Sequence, residues 1–241
     1  MTAPTTDLPR MRVSIMIPVY QEEATVGELL ARVGAVDLAP LGVEREILVC
    51  DDGSTDGTAR ALRQATEALP HVRLFTHHVN QGKGAAIRTM LPHATGDATL
   101  VQDADLEYDA ADIVPLLERF REGHDAVYGS RFLSTRWPLG MRPANWIANR
   151  LLTHTANLLY GHTLTDEATC LKLVRTTLLR DLQLECDGFD FCPEVTAKLG
   201  LRGVPIEEVA VGYRARDVAH GKKVRWHDGV TALSVLLRHR W

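Results

Sequence analysis

Residues 45–58 read REILVCDDGSTDGT, an apolar run that ends in two adjacent acids and a glycine-punctuated turn. The run reads as a buried strand feeding a helix. Gly53 and Gly57 suit a tight turn with positive φ, and Asp56 or Thr58 suits the start of the next helix. An ordinary strand-to-helix turn explains Gly53, Ser54 and Asp56. It does not explain Asp51 and Asp52 side by side at the strand's carboxyl end, where a carboxylate can accept hydrogen bonds from a base N–H or from ribose hydroxyls.

The same alternation extends to either side. RVSIMIPVY (12–20) reads as a strand, followed by a helix with Val26, Leu29, Leu30 and Val33 on one face. A helix after the acidic turn places Ala61, Leu62, Ala65 and Leu69 inward. HVRLFTH (71–77), DATLVQDAD (97–105) and DAVYGSRF (125–132) supply further strands, and Ile113, Leu116, Leu117 and Phe120 mark another helix. Strands alternating with helices predict an α/β fold with a mostly parallel sheet covered on both faces. Ligands of such sheets sit beyond the carboxyl ends of the strands, where Asp51, Asp52, Asp103, Asp105 and Arg131 fall. Past residue 135 the pattern changes. NWIANRLLTHTANLLYG (145–161) predicts a helix with Ala148, Leu151, Leu152, Thr155 and Leu159 on one side. VPIEEVAVGYRAR (204–216) predicts a strand pair or extended segment, and DGVTALSVLLRHRW (228–241) a short amphipathic helix. We expect a loose tail over 1–10 and one domain over 11–241, with a nucleotide half (11–134) and an acceptor half (135–241).

Composition narrows the function. Hydrophobic residues make up 45% and charged residues 24% of the chain, ordinary values for a globular protein. A net charge of −4 argues against a general nucleic-acid binder. The four cysteines show neither a Cys-x-x-Cys pair nor histidines at zinc spacing, and read as reduced, packed thiols. No apolar run approaches the ~20 residues that cross a bilayer, so the chain is expected to be soluble or to sit on a membrane surface.

LVQDADLEYD (100–109) places Asp103, Asp105 and Glu107 at alternate positions. On a strand's end such side chains share a face. Two carboxylates plus substrate phosphate suit Mg²⁺ or Mn²⁺, and an acidic turn before a helix is the plain alternative. NQGKGAA is rich in glycine but matches no phosphate-loop pattern, and Arg131 is a lone cation near the strand ends. YRARDVAHGKKVRW sets Arg214, Arg216, Lys222, Lys223 and Arg225 against the single acid Asp217. It reads either as a loop that closes over phosphates or as a solvated basic stretch.

The order of IPVYQEE, DDGSTDGT, NQGKGAA, DADLE, GSR and YRARDVAHGKK resembles the family-2 glycosyltransferases of GT-A fold. Within them it is most similar to the dolichyl- or polyprenyl-phosphate mannose and glucose synthases, over residues 12 to about 235. The resemblance implies a GT-A (Rossmann-like) sheet flanked by helices, with a C-terminal extension on the acceptor side. It implies that Pro18, Tyr20 and Glu22 form the first nucleotide loop, and that Cys50 and Asp52 hold base and ribose. Asp103, Ala104 and Asp105 match the Asp-x-Asp element at the sugar diphosphate and metal, with Glu107 as a third ligand. Arg131 matches an arginine near the metal and acceptor phosphate, and Arg216 and Lys222 match a basic loop over the diphosphate. Asp105, Arg131, Arg216 and Lys222 are the implied catalytic residues.

The expected reaction is inverting, metal-dependent transfer of a hexose from a GDP-mannose or UDP-glucose type of donor. A polyprenyl phosphate acceptor needs no general base, since its oxygen is already an anion. An alcohol acceptor wants one, and Asp166 and Glu194 are the candidates. A small soluble acceptor and a non-catalytic nucleotide-sugar binding module are the alternatives. TALSVLLRHRW (231–241) is expected either to lie on a membrane or to close the core. The expected location is cytoplasmic or peripheral at the membrane's cytoplasmic face.

Overall fold

A computed structural model describes residues 10–67, 69, 71–216 and 226–240, the side chains of Trp226 and His227 excepted. The seven-stranded sheet runs in the order β3-β2-β1-β4-β6-β5-β7. Its strands are β1 (Met11–Val19), β2 (Val43–Asp51), β3 (Val72–Thr76), β4 (Ala98–Val101), β5 (Ala126–Ser130), β6 (Lys172–Arg175) and β7 (Glu207–Ala210). β1 pairs in parallel with β2 and β4, β2 with β3, and β5 with β7. β6 alone runs the other way, antiparallel to both β4 and β5. The chain winds from β1 outward to β3 and returns to place β4 on β1's other side. That reversal leaves a crevice at the carboxyl ends of β1 and β4.

The strands' apolar runs are divided between the two faces of the sheet. Ile15, Ile17, Ile47, Val49 and Leu100 turn to a core built with α1 (Val26–Ala35) and α4 (Ile113–Arg121). Met16, Leu48, Cys50 and Val101 turn to the opposite core, under α3 (Lys83–Met90), α6 (Thr176–Asp181) and α7 (Phe191–Leu201). α2 (Thr58–Glu67) lies beside α1, with Leu62 buried and Ala61, Ala65 and Leu69 at the core's margin. A smaller cluster joins α5 (Pro143–Tyr160), α7 and α8 (Trp226–Arg238) through Leu152, Ala156, Ala197, Ala232 and Leu236.

Several local expectations are corrected. β4 stops at Val101, so Asp103 and Asp105 lie in the turn beyond it, where Leu106 takes a left-handed φ of 59°. The turn, rather than strand alternation, gathers the acids. Gly53 does adopt a positive φ of 71°, and a side chain there would collide with the Val79–Asn80 backbone. Gly57 does not; its N–H donates to the Glu23 carboxylate at 2.6 Å, which a side chain at 57 would displace. α5 buries Leu152, Thr153 and Ala156, while Ala148 and Leu151 are exposed. Its inner face meets α7 and α8 through Leu152 and Ala156, which pack on Ala197, Ala232 and Leu236. The 204–216 stretch forms one strand, β7, then isolated bridges from Tyr213 to Tyr108 and from Arg214 to Leu139. α8 closes the core, with Val235 and Leu236 buried and Tyr160 Oη donating to the Leu236 carbonyl at 2.5 Å.

Candidate functional site

The carboxyl ends of β1, β2, β4 and β5 open into a cavity of about 930 Å³ lined by Pro18, Tyr20, Glu22, Asp52, Asp103, Ala104, Asp105, Glu107, Arg131 and Arg216. Lys222 lies outside the described residues. Cys50 does not line the cavity: its side chain is fully buried in the core beneath α3, and burial, with Asp52 and Asp51 adding to it, pushes its thiol up to about 12. Strand geometry explains this. The penultimate residue of β2 faces α3, and only past the strand's end does the chain turn toward the ligand side.

Asp52 organises a loop. Its carboxylate accepts from His77 Nδ1 at 2.7 Å, Asn80 Nδ2 at 2.9 Å, and the backbone N–H groups of Gln81 and Gly82 at 2.9 and 2.8 Å. These bonds fix the glycine loop so that the next residue, Lys83, points into the cavity. Gly82 has φ 103° and packs against the Asp187 carbonyl, leaving no room for a side chain.

Lys83 Nζ meets Asp103 Oδ1 at 2.5 Å, and both side chains are largely buried. Burial is the largest single influence and works against the ammonium, but the charge and hydrogen bond of Asp103, with Cys170 and Cys192 adding to them, together raise the lysine's pKa. Lys83 was missed in the sequence because its loop fits no phosphate-binding pattern. The available signal was a lysine between two glycines just ahead of a helix.

Asp105 sits 3.4 Å from Arg216, whose guanidinium makes a bidentate pair with Glu22 at 3.0 and 2.8 Å. Burial, followed by the charges of Asp103 and Glu107, pushes the Asp105 carboxyl up to about 7. Glu107 accepts from Tyr213 Oη at 2.6 Å and from the Arg216 backbone N–H at 2.7 Å. Glu107 therefore ties the acidic turn to the stalk of the basic segment, and does not stand beside Asp103 as a third open carboxylate.

No group of three or more His, Cys, Asp or Glu side chains poised for a metal occurs among the described residues. Two acids remain, Asp103 and Asp105, the latter with its pKa raised by burial and by the neighbouring acids. That donor set fits Mg²⁺ or Mn²⁺, which complete their shells with water and ligand phosphate.

Arg131 is buried and bound by Asp166: Nε and a terminal nitrogen reach its two oxygens at 2.6 and 2.7 Å, and the backbone N–H adds a third bond at 3.0 Å. Glu208 holds the Asp166 turn through the N–H groups of Thr165 and Asp166. The guanidinium also lies 5.1 Å from the centre of the Tyr213 ring. Asp166 is thus saturated as a partner of Arg131 and is not an available base. Glu194 is not one either, since it accepts from the Glu185 and Cys186 N–H groups and pairs with Lys198 at 2.7 Å. A second cavity, about 340 Å³, shares Arg131 and Tyr213 with the first and is walled by Trp137, Pro138 and Leu139.

The chain is 33% identical over 216 residues to the undecaprenyl-phosphate 4-deoxy-4-formamido-L-arabinose transferase of Klebsiella pneumoniae (strain 342). The match covers 89% of this chain and 63% of that enzyme, so the chain spans less than two thirds of its relative's length. Among solved structures it is similar to glucosyl-3-phosphoglycerate synthase from Mycobacterium tuberculosis in complex with Mg²⁺ and UDP. That similarity has a TM-score of 0.70 and 19% identity, over 95% of this chain and 79% of that one. The same synthase with Mn²⁺ and UDP-glucose gives a TM-score of 0.67 at 21% identity, over 95% and 79% of the two chains. At these identities the structures establish a shared GT-A fold. The profile of "Glycosyl transferase family 2" matches residues 14–183, most of the sheet and the acidic turn included, and the chain belongs to that family.

Proposed function

We propose that this chain transfers a sugar, with inversion, from a nucleoside-diphosphate sugar to a polyprenyl phosphate. The observation that carries this reading is one cavity holding an acid pair, Asp103 and Asp105, between two cations of different origin, Lys83 and Arg216. Asp103 and Asp105 would hold Mg²⁺ or Mn²⁺. When bound, the metal supplies positive charge against the departing diphosphate. Pro18, Tyr20 and the loop held by Asp52 form the nucleotide side. Arg216 can exchange Glu22 for phosphate oxygens, and Lys83 adds fixed charge beside Asp103. Arg131, oriented by Asp166, faces the acceptor phosphate. The relative's acceptor, undecaprenyl phosphate, supports a polyprenyl phosphate here, and its sugar, a modified arabinose, admits pentoses beside the hexoses expected from sequence.

A membrane-facing surface supports the same reading. No helix among the described residues is long and apolar enough to cross a membrane. Instead, Leu133, Trp137, Leu139, Ile147 and Leu151 are exposed around the second cavity and along α5. Trp137 and Trp146 stack at 5.3 Å. Between Asp125 and Asp166 the chain has no acid, yet carries the exposed Arg136, Arg142 and Arg150 beside the buried Arg131. An apolar, aromatic and cationic surface of this kind suits anionic headgroups.

The test offers labelled UDP-glucose, GDP-mannose and a UDP-pentose with undecaprenyl phosphate and Mg²⁺ or Mn²⁺. Label entering the organic phase is the expected result and identifies the donor. Donor turnover with all label left aqueous would instead favour a soluble acceptor.

A further inference from the structure

Glu167 is a buried acid that the proposed transfer leaves unused. It follows Asp166 in the turn before β6, is 0% exposed, and lines the large cavity. Its backbone is fixed from two sides: the N–H donates to Thr153 Oγ1 of α5 at 3.0 Å, and the carbonyl accepts from Lys172 Nζ at 2.7 Å. Its Oε1 accepts from Thr196 Oγ1 of α7 at 3.2 Å. Thr196 in turn contacts Lys172 and Tyr128, and the Lys172 ammonium rests 3.5 Å from the centre of the Tyr128 ring. The other carboxylate oxygen, Oε2, accepts no hydrogen bond from any described residue.

Nearby acids show how unusual this is. Asp166 has both oxygens on Arg131, and Glu194 has both on backbone N–H groups. Buried carboxylate oxygens in native folds find partners as a rule, so one without a partner in the chain at a cavity wall is open to a donor from outside it, a water or a ligand group. The walls that α5, α7 and α8 contribute are apolar at Leu152, Pro193 and Ala232 and polar at Asn145, Asn149 and Asp228. Burial raises the Glu167 carboxyl's pKa, opposed by Lys172 and Thr196; in either protonation state the carboxyl retains an oxygen able to accept.

We propose that Glu167 Oε2 accepts a hydrogen bond from a sugar-type hydroxyl admitted to the cavity, which makes Glu167 a specificity-determining residue of the site. The proposal rests on the glycosyl-transfer reading. The hydroxyl belongs either to the transferred sugar or to a hydroxylated acceptor, which present the same O–H group. A site built to pair a hydroxyl discriminates strongly against ligands lacking it, because the buried acceptor is then left unpaired.

The experiment compares wild type with Glu167→Met, which keeps length but accepts nothing, and Glu167→Gln, which keeps an acceptor. Calorimetry with Mg²⁺ measures UDP against UDP-glucose and GDP against GDP-mannose. Transfer assays compare 3-phosphoglycerate with undecaprenyl phosphate. Wild-type binding of UDP or GDP reports on the glycosyl-transfer reading by itself. For Glu167, the informative quantity is the ratio of sugar-nucleotide to nucleotide affinity. If the hydroxyl is the donor's, Glu167→Met lowers that ratio at least tenfold with nucleotide affinity unchanged, and Glu167→Gln loses less. If it is the acceptor's, the ratio holds and KM for 3-phosphoglycerate rises at least tenfold. Ratios and KM values within twofold of wild type in both variants overturn the proposal. Equal losses of nucleotide and sugar-nucleotide affinity also overturn it, because they mark a structural role.

Discussion

Asp103 and Asp105 are separated by one residue but answer to different parts of the chain. Asp103 is held by Lys83 from the glycine loop, and Asp105 by Arg216 from beyond β7. The proposed metal role makes Asp105→Ala a loss of at least a hundredfold in metal-dependent transfer, with far-UV circular dichroism unchanged. Retained activity in that variant would remove Asp105 from the metal site. Arg131 and Asp166 form a different kind of pair, buried and bidentate, in which neither charge has an alternative partner of opposite sign at comparable distance among the described residues. Removing one member of a buried pair costs about 3–5 kcal/mol. Asp166→Asn should therefore lower the melting temperature by about 10 °C, measured by thermal unfolding; a shift under about 2 °C would show the pair to be dispensable to the fold. The acids of the turn were legible in sequence because like charges at alternate positions need a reason to coexist. Lys83 and the true partner of Arg131 were not, since long-range ion pairs leave no local pattern. Asp166 lies 35 residues from Arg131.

Elements were legible where burial on both faces produced an apolar run, as in β1 and β2, or where one face repeated at helical spacing, as in α1 and α4. β6 was not, for two reasons. It spans only Lys172–Arg175, and its first residue is a lysine that the fold buries over Tyr128. Yet β6 is the strand that joins β4 to β5, and the turn before it brings Glu167 to the cavity and Asp166 to Arg131. α4 is tied to the segment after β7 through Asp112, whose Oδ2 accepts from the Gly212 N–H at 2.9 Å. Burial, opposed by that bond and aided by Asp109, pushes the Asp112 carboxyl up to about 6. The ordinary value is 3.8, so the folded chain holds this proton more tightly than the unfolded chain does. This contribution to stability falls as pH rises from about 4 to about 6, and stays low above that. Asp112→Asn keeps an acceptor for Gly212 without the charge. It should melt about 2 °C above wild type at pH 8 and equal to it at pH 4. A gain that is the same at both pH values would assign the effect to packing instead.

At the scale of the whole molecule, charge is distributed against the net value. The chain is acidic overall at −4, but the forty residues between Asp125 and Asp166 contain no acid. In this stretch the structure places an exposed row on α5, Ile147, Leu151 and Leu158, with His154 between the last two and Arg150 adjacent. Residues 147, 151, 154 and 158 fall at helical spacing, so they share one face. From sequence, the C-terminal helix is expected either to lie on a membrane or to close the core. There Ala232 and Leu236 pack on α5 and α7 and Val235 is buried, leaving Val230 and Leu237 outward. The surface near Arg131 is the better candidate, because Trp137 and Leu139 border the second cavity, where Arg131 also stands. A lipid-borne phosphate would then reach Arg131 without leaving the bilayer surface. Ile147→Glu combined with Leu151→Glu places two acids on that face without touching the core, since both side chains are more than half exposed. The double variant should keep wild-type melting behaviour and nucleotide binding. Its co-sedimentation with vesicles of phosphatidylglycerol and phosphatidylcholine should fall at least tenfold, and salt should weaken wild-type binding in the same assay. Equal binding by both proteins would move the membrane contact elsewhere and leave the exposed face of α5 without a lipid role.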